Sequence, residues 1–305
     1  MIPNVLSIAG SDPSGGAGVQ ADLKTFSALG AYGMTVLTAL TAQNTRGVQA
    51  VHPVPPEFVT AQINSVFADI RVAAVKIGML GDAATIRAVA DALRVHRPAF
   101  VVLDPVMVAK SGDRLLAPEA VACLREELMP WVDLVTPNLP EAADLIGLAQ
   151  ARTEAEMTEQ LHRLGRLCPR VLLKGGHLAG SHSVDLLLDV GEVTRFAAPR
   201  VVTGNTHGTG CTLSAAIAAL RPQREDWASA VRAAKSYLTA ALQHADELDV
   251  GGGHGPAHHF HAWWPPPRTP PPANSGLFVV KPPANPQIAR YLRGSPPEPV
   301  SKEPP

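Results

Sequence analysis

The feature that most constrains this chain is an alternation. Short, almost wholly apolar runs recur along it, each followed by a stretch with helical spacing. The first run, Val5-Leu6-Ser7-Ile8-Ala9, suits a strand buried on both faces. Further strands are predicted over 32–42, 74–77, 100–103, 134–136 and 171–174, with a hairpin pairing 183–188 and 193–197 around Gly191. Helices are predicted over 19–29, 56–70, 83–96, 118–128, 154–167, 212–220 and 227–245. Gly30 closes the first of these, and Thr153 with Glu156 reads as a capping box for the 154–167 helix. Residues 43–56 read as loop or flap. Parallel neighbours need crossover connections, so the expected fold is α/β: three layers, with a mostly parallel sheet covered by helices on both faces.

The alternation stops at Trp264. Residues 265–305 hold 14 prolines in 41 positions and carry a net charge of +3, from five Lys or Arg and two Glu. Such a segment buries too little to offset its ordering entropy, so it reads as a disordered, partly polyproline-like tail on a domain spanning 1–264. With 46% hydrophobic residues over its whole length, the chain has material for a substantial core. The net charge of −1 gives no electrostatic case for nucleic acid or an anionic membrane as the main partner. No apolar run approaches a membrane span, and the N-terminus lacks the pattern of a secretory signal. The three cysteines are far apart, form no disulfide or zinc pattern, and fit a reducing cytoplasm.

Within the domain the most chemical stretch is Thr203-Gly204-Asn205-Thr206-His207-Gly208-Thr209-Gly210-Cys211, which feeds an Ala-rich apolar helix. A glycine loop entering a helix leaves backbone N–H groups unpaired at the positive end of the dipole, a ready anion site. An ordinary turn with Thr209 as helix cap also fits. Cys211 falls on the first turn, where the dipole favours a thiolate. Ligands of open parallel sheets collect at strand carboxyl ends. There the sequence offers Gly10-Ser11-Asp12, Gln43-Asn44, Gly78-Met79, Asp104-Pro105-Val106, Pro137-Asn138-Leu139-Pro140-Glu141 and Lys174-Gly175-Gly176, with Asp22 on the first helix. Lys174 supplies a compact positive charge, and Asp104 and Glu141 supply hard oxygens suited to magnesium held through water. Together these make a phosphoryl-transfer site. His258, His259 and His261 lie among aromatic residues and read as a packed end segment rather than a metal site.

The motifs from Ile8 to Asp22, Ala42 to Val48, Lys76 to Leu80, Leu103 to Met107, Pro137 to Ala142, Lys174 to His177, Asn205 to Cys211 and Gly255 to Trp264 resemble the bacterial hydroxymethylpyrimidine/phosphomethylpyrimidine kinases. The resemblance covers about 4–264 and implies a ribokinase-like fold. It implies ATP- and Mg2+-dependent phosphorylation of 4-amino-5-hydroxymethyl-2-methylpyrimidine, then of its monophosphate, for thiamine biosynthesis. It matches Gln43, Gly10, Asp22, Met79 and Val106 to the pyrimidine pocket, and Asn138 and Glu141 to an Asn-x-x-Glu element near magnesium and phosphate; beside these, His207 is expected at the pyrimidine, Lys174, Asn138, Thr206 and Thr209 at ATP, and Asp104 with Glu141 at the metal. Cys211, Gly208, Gly210 and Lys174 are expected to carry the transfer. A homodimer is the family-level expectation. The nearest alternative is a pyridoxal or pyridoxine kinase. Readings from other classes are a thiol hydrolase with Cys211 as nucleophile and His207 as its base, and a non-catalytic pyrimidine sensor.

Overall fold

In chain order the strands are β1 (Asn4–Ala9), β2 (Tyr32–Leu37), β3 (Ala39–Asn44), β4 (Gly47–Pro53), β5 (Ala74–Ile77), β6 (Val101–Leu103), β7 (Leu134–Val135), β8 (Arg170–Lys174), β9 (His182–Asp189) and β10 (Glu192–Pro199). Eight of them form one sheet in the order β10-β9-β8-β7-β6-β5-β1-β2. It is parallel from β2 to β8, and β9 and β10 add an antiparallel edge. The computed structural model describes residues 1–108, 116 and 118–264. The Pro-rich 265–305 segment lies outside the described residues.

The helices are α1 (Gly18–Ala28), α2 (Pro56–Asp69), α3 (Ala83–His96), α4 (Pro118–Cys123, continued by a wider turn over Leu124–Leu128), α5 (Leu139–Ile146), α6 (Glu154–Leu164), α7 (Thr209–Leu220) and α8 (Trp227–Gln243). The pleat sends neighbouring strand residues to opposite faces. Leu6, Ile8, Val75, Ile77, Leu103 and Leu173 pack in one core with α2, α3, α5 and α6. Val5, Ala74, Val102 and Leu172 pack in the other with α1, α7 and α8. The three predicted layers are therefore present. The same pleat turns Ser7 and Lys76, paired in register, toward α1 and α7.

Three local expectations change. The predicted 32–42 strand breaks at Thr38. Its second half is β3, which leaves the sheet and pairs with β4 inside the predicted loop. β4 is mostly exposed, so no buried pattern marks it. The α6 capping box is half made: Thr153 accepts from Glu156 N at 3.2 Å, but Glu156 turns its carboxylate to Arg152 N at 2.6 Å. The complete box belongs to α5, which the periodicity does not reveal because it has only eight residues. Pro140 sits in its first turn, where a missing N–H is tolerated.

Candidate active site

The carboxyl ends of the parallel strands open on a cavity of about 620 Å³, a small-molecule size. Gly10 follows β1, Met79 follows β5, Val106 follows β6, Asn138 follows β7 and Lys174 ends β8, and all five line it. A Cβ on Gly10 would lie 2.5 Å from Met79 Cε, so the glycine gives the methionine its place in the wall.

The Gly-rich loop closes one side. Gly208, at φ 72°, caps α7 in the left-handed region, and no side chain caps this helix, so Thr209 does not. The N–H groups of Thr209, Gly210 and Cys211 then open the helix without intrahelical partners. Thr206 and Thr209 line the cavity beside them. A Cβ on Gly210 would lie 3.3 Å from Lys174 Nζ and 3.4 Å from Asp104 Oδ2. The amides and the charged cluster therefore face one small volume.

In that cluster Lys174 Nζ lies 2.7 Å from Asp104 Oδ1 and 3.9 Å from Glu141 Oε2. Thr136 and Ser214 hydroxyls reach Asp104 at 3.3 and 3.4 Å. Asn138 and Glu141 hold each other in the α5 capping box, at 2.7 and 2.9 Å. Burial pushes the Glu141 carboxyl up to about 7 against the pull of Lys174, and the Asp104 charge adds to the rise. The Lys174 ammonium is raised: burial opposes its charge, but Asp104 and Glu141 outweigh that. Among the described residues, no group of three or more His, Cys, Asp or Glu is placed to hold a metal ion. Two carboxylates without a cage still fit magnesium, which takes one or two carboxylates and completes its shell with water and substrate phosphates.

Cys211 departs from expectation. Burial, with Asp22 and Asp104 nearby, pushes its thiol up to about 11 despite Lys76 and an N–H from Gly18. The desolvated site outweighs the helix dipole, so Cys211 is a thiol at neutral pH, not the expected thiolate. His207, the base of the hydrolase reading, pairs through Nε2 with Asp12 Oδ2 at 2.8 Å. Asp22 departs too. It is fully buried behind the cavity wall, 2.8 Å from Lys76 Nζ and 2.6 Å from Ser7 Oγ. The residue that lines the cavity from this pair is Lys76. The carboxylates of Asp22 and Asp104 raise its ammonium despite burial. The Lys76–Asp22 distance links β5 to α1 across 54 positions and has no local signature.

Gln43 and His207 face the cavity as expected. A register shift at Ala42/Gln43 breaks the β3–β4 ladder beside Gln43. Asp12, to which the sequence assigns no role, holds this corner together. It accepts from Ser14 N, Ser14 Oγ, Gly16 N and Ala17 N at 2.7–3.2 Å, besides His207. Burial works against its charge, but hydrogen bonds from His207, Ser14 and Ala17 bring it down to about 2. The Asx-turn bond to Ser14 is the one local signal that could have flagged it. His259 Nε2 bonds Thr212 Oγ1 at 3.0 Å, and burial lowers its imidazole to about 3. His259 thus braces α7, while His258 N bonds Ala241 O and the His261 ring packs by Tyr237 of α8, so the three lie in a packed segment.

Comparison with known proteins identifies the family. The model of the phosphomethylpyrimidine kinase family matches residues 12–258. A hydroxymethylpyrimidine/phosphomethylpyrimidine kinase of Escherichia coli K12 is 60% identical over 261 residues, covering 85% of this chain and 98% of that one. The phosphomethylpyrimidine kinase structure of Clostridium difficile 630 superposes with a TM-score of 0.70 at 41% identity, over 79% of this chain and 99% of that one. An ADP complex of Bacillus subtilis pyridoxal kinase superposes with a TM-score of 0.79 at 36% identity, over 86% of this chain and 99% of that one. Pyridoxal kinase is thus a structural relative, while the family model and the high-identity relative agree on the pyrimidine enzymes: the chain belongs to the phosphomethylpyrimidine kinase family.

Proposed function

We propose that this chain transfers the γ-phosphoryl group of ATP to 4-amino-5-hydroxymethyl-2-methylpyrimidine, and then to the monophosphate, to make the diphosphate for thiamine biosynthesis. The observation that carries this reading is the meeting of two half-sites in one cavity. The Gly208–Cys211 amides face Lys174 and Asp104, and the Gln43–His207 corner opens on the same space. The amides and Lys174 hold and neutralise the transferring group, which is most of what phosphoryl transfer requires. The Gln43 amide pairs with an aminopyrimidine edge, and Gly10, Met79 and Val106 wall the ring. Asn138, Thr206 and Thr209 line the nucleotide side. Asp104 and Glu141 hold Mg2+ through water, and the ion when bound neutralises phosphate charge. Cys211, as a thiol, gives the acceptor a polar contact and does not remove its proton. The monophosphate acceptor is already largely ionised near neutral pH.

The test is ADP release with the pyrimidine alcohol, its monophosphate, pyridoxal and pyridoxine as acceptors. Turnover confined to the pyridoxine group overturns the reading, and binding without turnover favours a sensor. Cytoplasmic location and a homodimer belong to this reading. Cys123, Cys168 and Cys211 are unpaired thiols, which fits a reducing compartment. No described helix is long and apolar enough to cross a membrane.

Glu141 makes a pH prediction. A carboxyl raised to about 7 is protonated in part of the working range, and only its anion serves magnesium. kcat/KM for the nucleotide should fall on acidification through about pH 7. Glu141→Gln keeps the capping box, should lower activity by about 10²-fold and should flatten that limb. The stability sign is fixed: the unfolded carboxyl ionises near 4.5 and the folded one near 7. Stability therefore declines as pH rises through this window in the wild type but not in Glu141→Gln. Unfolding midpoints at pH 5 and pH 8 check this.

A chain truncated after Trp264 should keep kcat within about twofold, because the removed residues are rich in proline and poor in large apolar groups. Packing runs up to that point: Trp264 stacks on Phe260, and Trp263 Nε1 donates to Ala28 O at 3.3 Å. Loss of soluble protein on this truncation would show that the tail stabilises the fold.

A further inference from the structure

Gln43 presents an amide whose ends differ, one acceptor and one donor, and the surrounding hydrogens decide which end points where. Its neighbours leave no choice. On one side stands His207 Nε2, 3.4 Å from the amide terminus and 2.8 Å from Asp12 Oδ2. Asp12 is committed as an acceptor, because its oxygens already take three backbone N–H groups and the Ser14 hydroxyl. A carboxylate at 2.8 Å requires the imidazole nitrogen to carry hydrogen. His207 Nε2 therefore carries hydrogen in the neutral and the cationic ring alike and has no lone pair to accept an amide N–H, so oxygen is the amide end that fits beside it. On the other side stands Thr41 Oγ1, 3.3 Å from the amide. Its single hydrogen goes to Ser11 O at 2.8 Å, a carbonyl that only accepts. Thr41 Oγ1 remains an acceptor, and the amide end beside it must be nitrogen. The two constraints are independent and agree. In the opposite orientation, Nε2 faces His207 Nε2 at 3.4 Å and Oε1 faces Thr41 Oγ1 at 3.3 Å, a mismatch at both ends. A half-turn of the carboxamide, which barely moves a heavy atom, satisfies both neighbours.

We propose that Asp12 and His207 from one side, and Ser11 and Thr41 from the other, are positioning residues that hold the Gln43 carboxamide with its oxygen toward His207 and its nitrogen toward Thr41, and so fix which way round an aminopyrimidine alcohol docks. The proposal rests on the pyrimidine-kinase reading above. The recognised ring edge carries a nitrogen, an acceptor, beside an amino group, a donor. The amino group pairs with the Gln43 oxygen and lies on the His207 side. The hydroxymethyl arm is bonded to the ring carbon next to the one bearing the amino group, so it lies on that side too. His207 runs directly into Gly208, Thr209, Gly210 and Cys211, whose amides hold the phosphoryl group. With the carboxamide reversed, the ring would dock reversed and carry its hydroxymethyl arm away from those amides. Asp12, through His207, thus helps to orient the substrate.

The experiment compares the 4-amino alcohol with its 4-oxo analogue, whose edge offers a carbonyl and a ring N–H in the opposite order. A fixed carboxamide should favour the amino acceptor by roughly 100-fold or more in kcat/KM. Thr41→Val keeps β-branching in β3 but removes the acceptor, and His207→Leu removes the donor. Each should reduce that ratio by about tenfold. His207→Gln retains an N–H near the same place and should preserve the ratio. Asp12→Asn should behave like His207→Leu, and if its buried loop fails to fold, the Thr41 and His207 variants still decide. General structural damage would lower both acceptors together and leave the ratio unmoved. An unchanged ratio in Thr41→Val and His207→Leu, or a wild type that accepts both acceptors equally, overturns the proposal while leaving the kinase reading intact. A wild type with no turnover of the amino alcohol overturns the kinase reading and this proposal with it.

Discussion

Replacing Lys174 by Met should lower kcat/KM for both the pyrimidine alcohol and its monophosphate by about 10³-fold, with little difference between them. The ammonium sits 2.7 Å from Asp104 and faces the Gly210 amide region, where charge gathers during transfer in either step. Methionine keeps the length of the stem and removes only the charge. Stability should fall as well. Asp104 and Glu141 are both nearly enclosed, and removing one partner of a buried pair costs about 3–5 kcal/mol. Glu141 should respond first by rising above its present value of about 7, since Lys174 is what restrains it. A Lys174→Met, Asp104→Asn double variant removes both halves of the pair. It should recover much of the unfolding midpoint and none of the activity. Recovery of stability and activity together would make Lys174 a structural lysine. Activity within tenfold of wild type in the single variant would remove it from the transfer step.

The lysine was legible in sequence, and the reason is topological. Gly10, Met79, Val106, Asn138 and Lys174 each lie at or just past a strand carboxyl end, and parallel strands bring those ends to one rim whatever the connections between them. Strand positions were legible because residues buried on both faces leave apolar runs. What was not legible depends on partners far along the chain. Asp22 reads as a polar residue facing the pocket, yet its partners are Lys76 and Ser7, and the three close on themselves inside the α1 and α7 side of the sheet. Asp12 matters through His207, 195 positions away. The state of Cys211 turns on a balance between helix dipole and burial, and only the three-dimensional enclosure fixes the second quantity. The β3–β4 pairing has no sequence signal for a different reason: β4 lies mostly exposed and borrows no pattern from the core.

Gly208→Val should abolish measurable transfer to both acceptors, a loss of about 10³-fold or more, whereas Cys211→Ala should cost both steps less than about tenfold. The contrast follows from what each residue contributes. Gly208 holds φ 72°, a region that strains a β-branched side chain by about 1–3 kcal/mol. A Cβ there would also collide with the Gly16 carbonyl in the loop leading to α1. Relief requires the start of α7 to move away from that loop, taking the Thr209, Gly210 and Cys211 amides with it. A displacement of about 1 Å at a reacting centre already costs about 10²-fold, and here the shift strikes the phosphoryl-holding groups used in both steps. Cys211→Ala keeps its amide, suits a helix and removes a thiol that is not ionised at neutral pH. If the thiol were the base for the alcohol, its loss would slow the first step by about 10²–10⁴-fold and spare the second. With the thiol raised to about 11, no such asymmetry should appear. kcat/KM for both acceptors in both variants, read beside their unfolding midpoints, separates the cases. A loss confined to the alcohol in Cys211→Ala would reinstate the thiolate. Retained activity in Gly208→Val would mean that the amides at the head of α7 do not hold the transferring group.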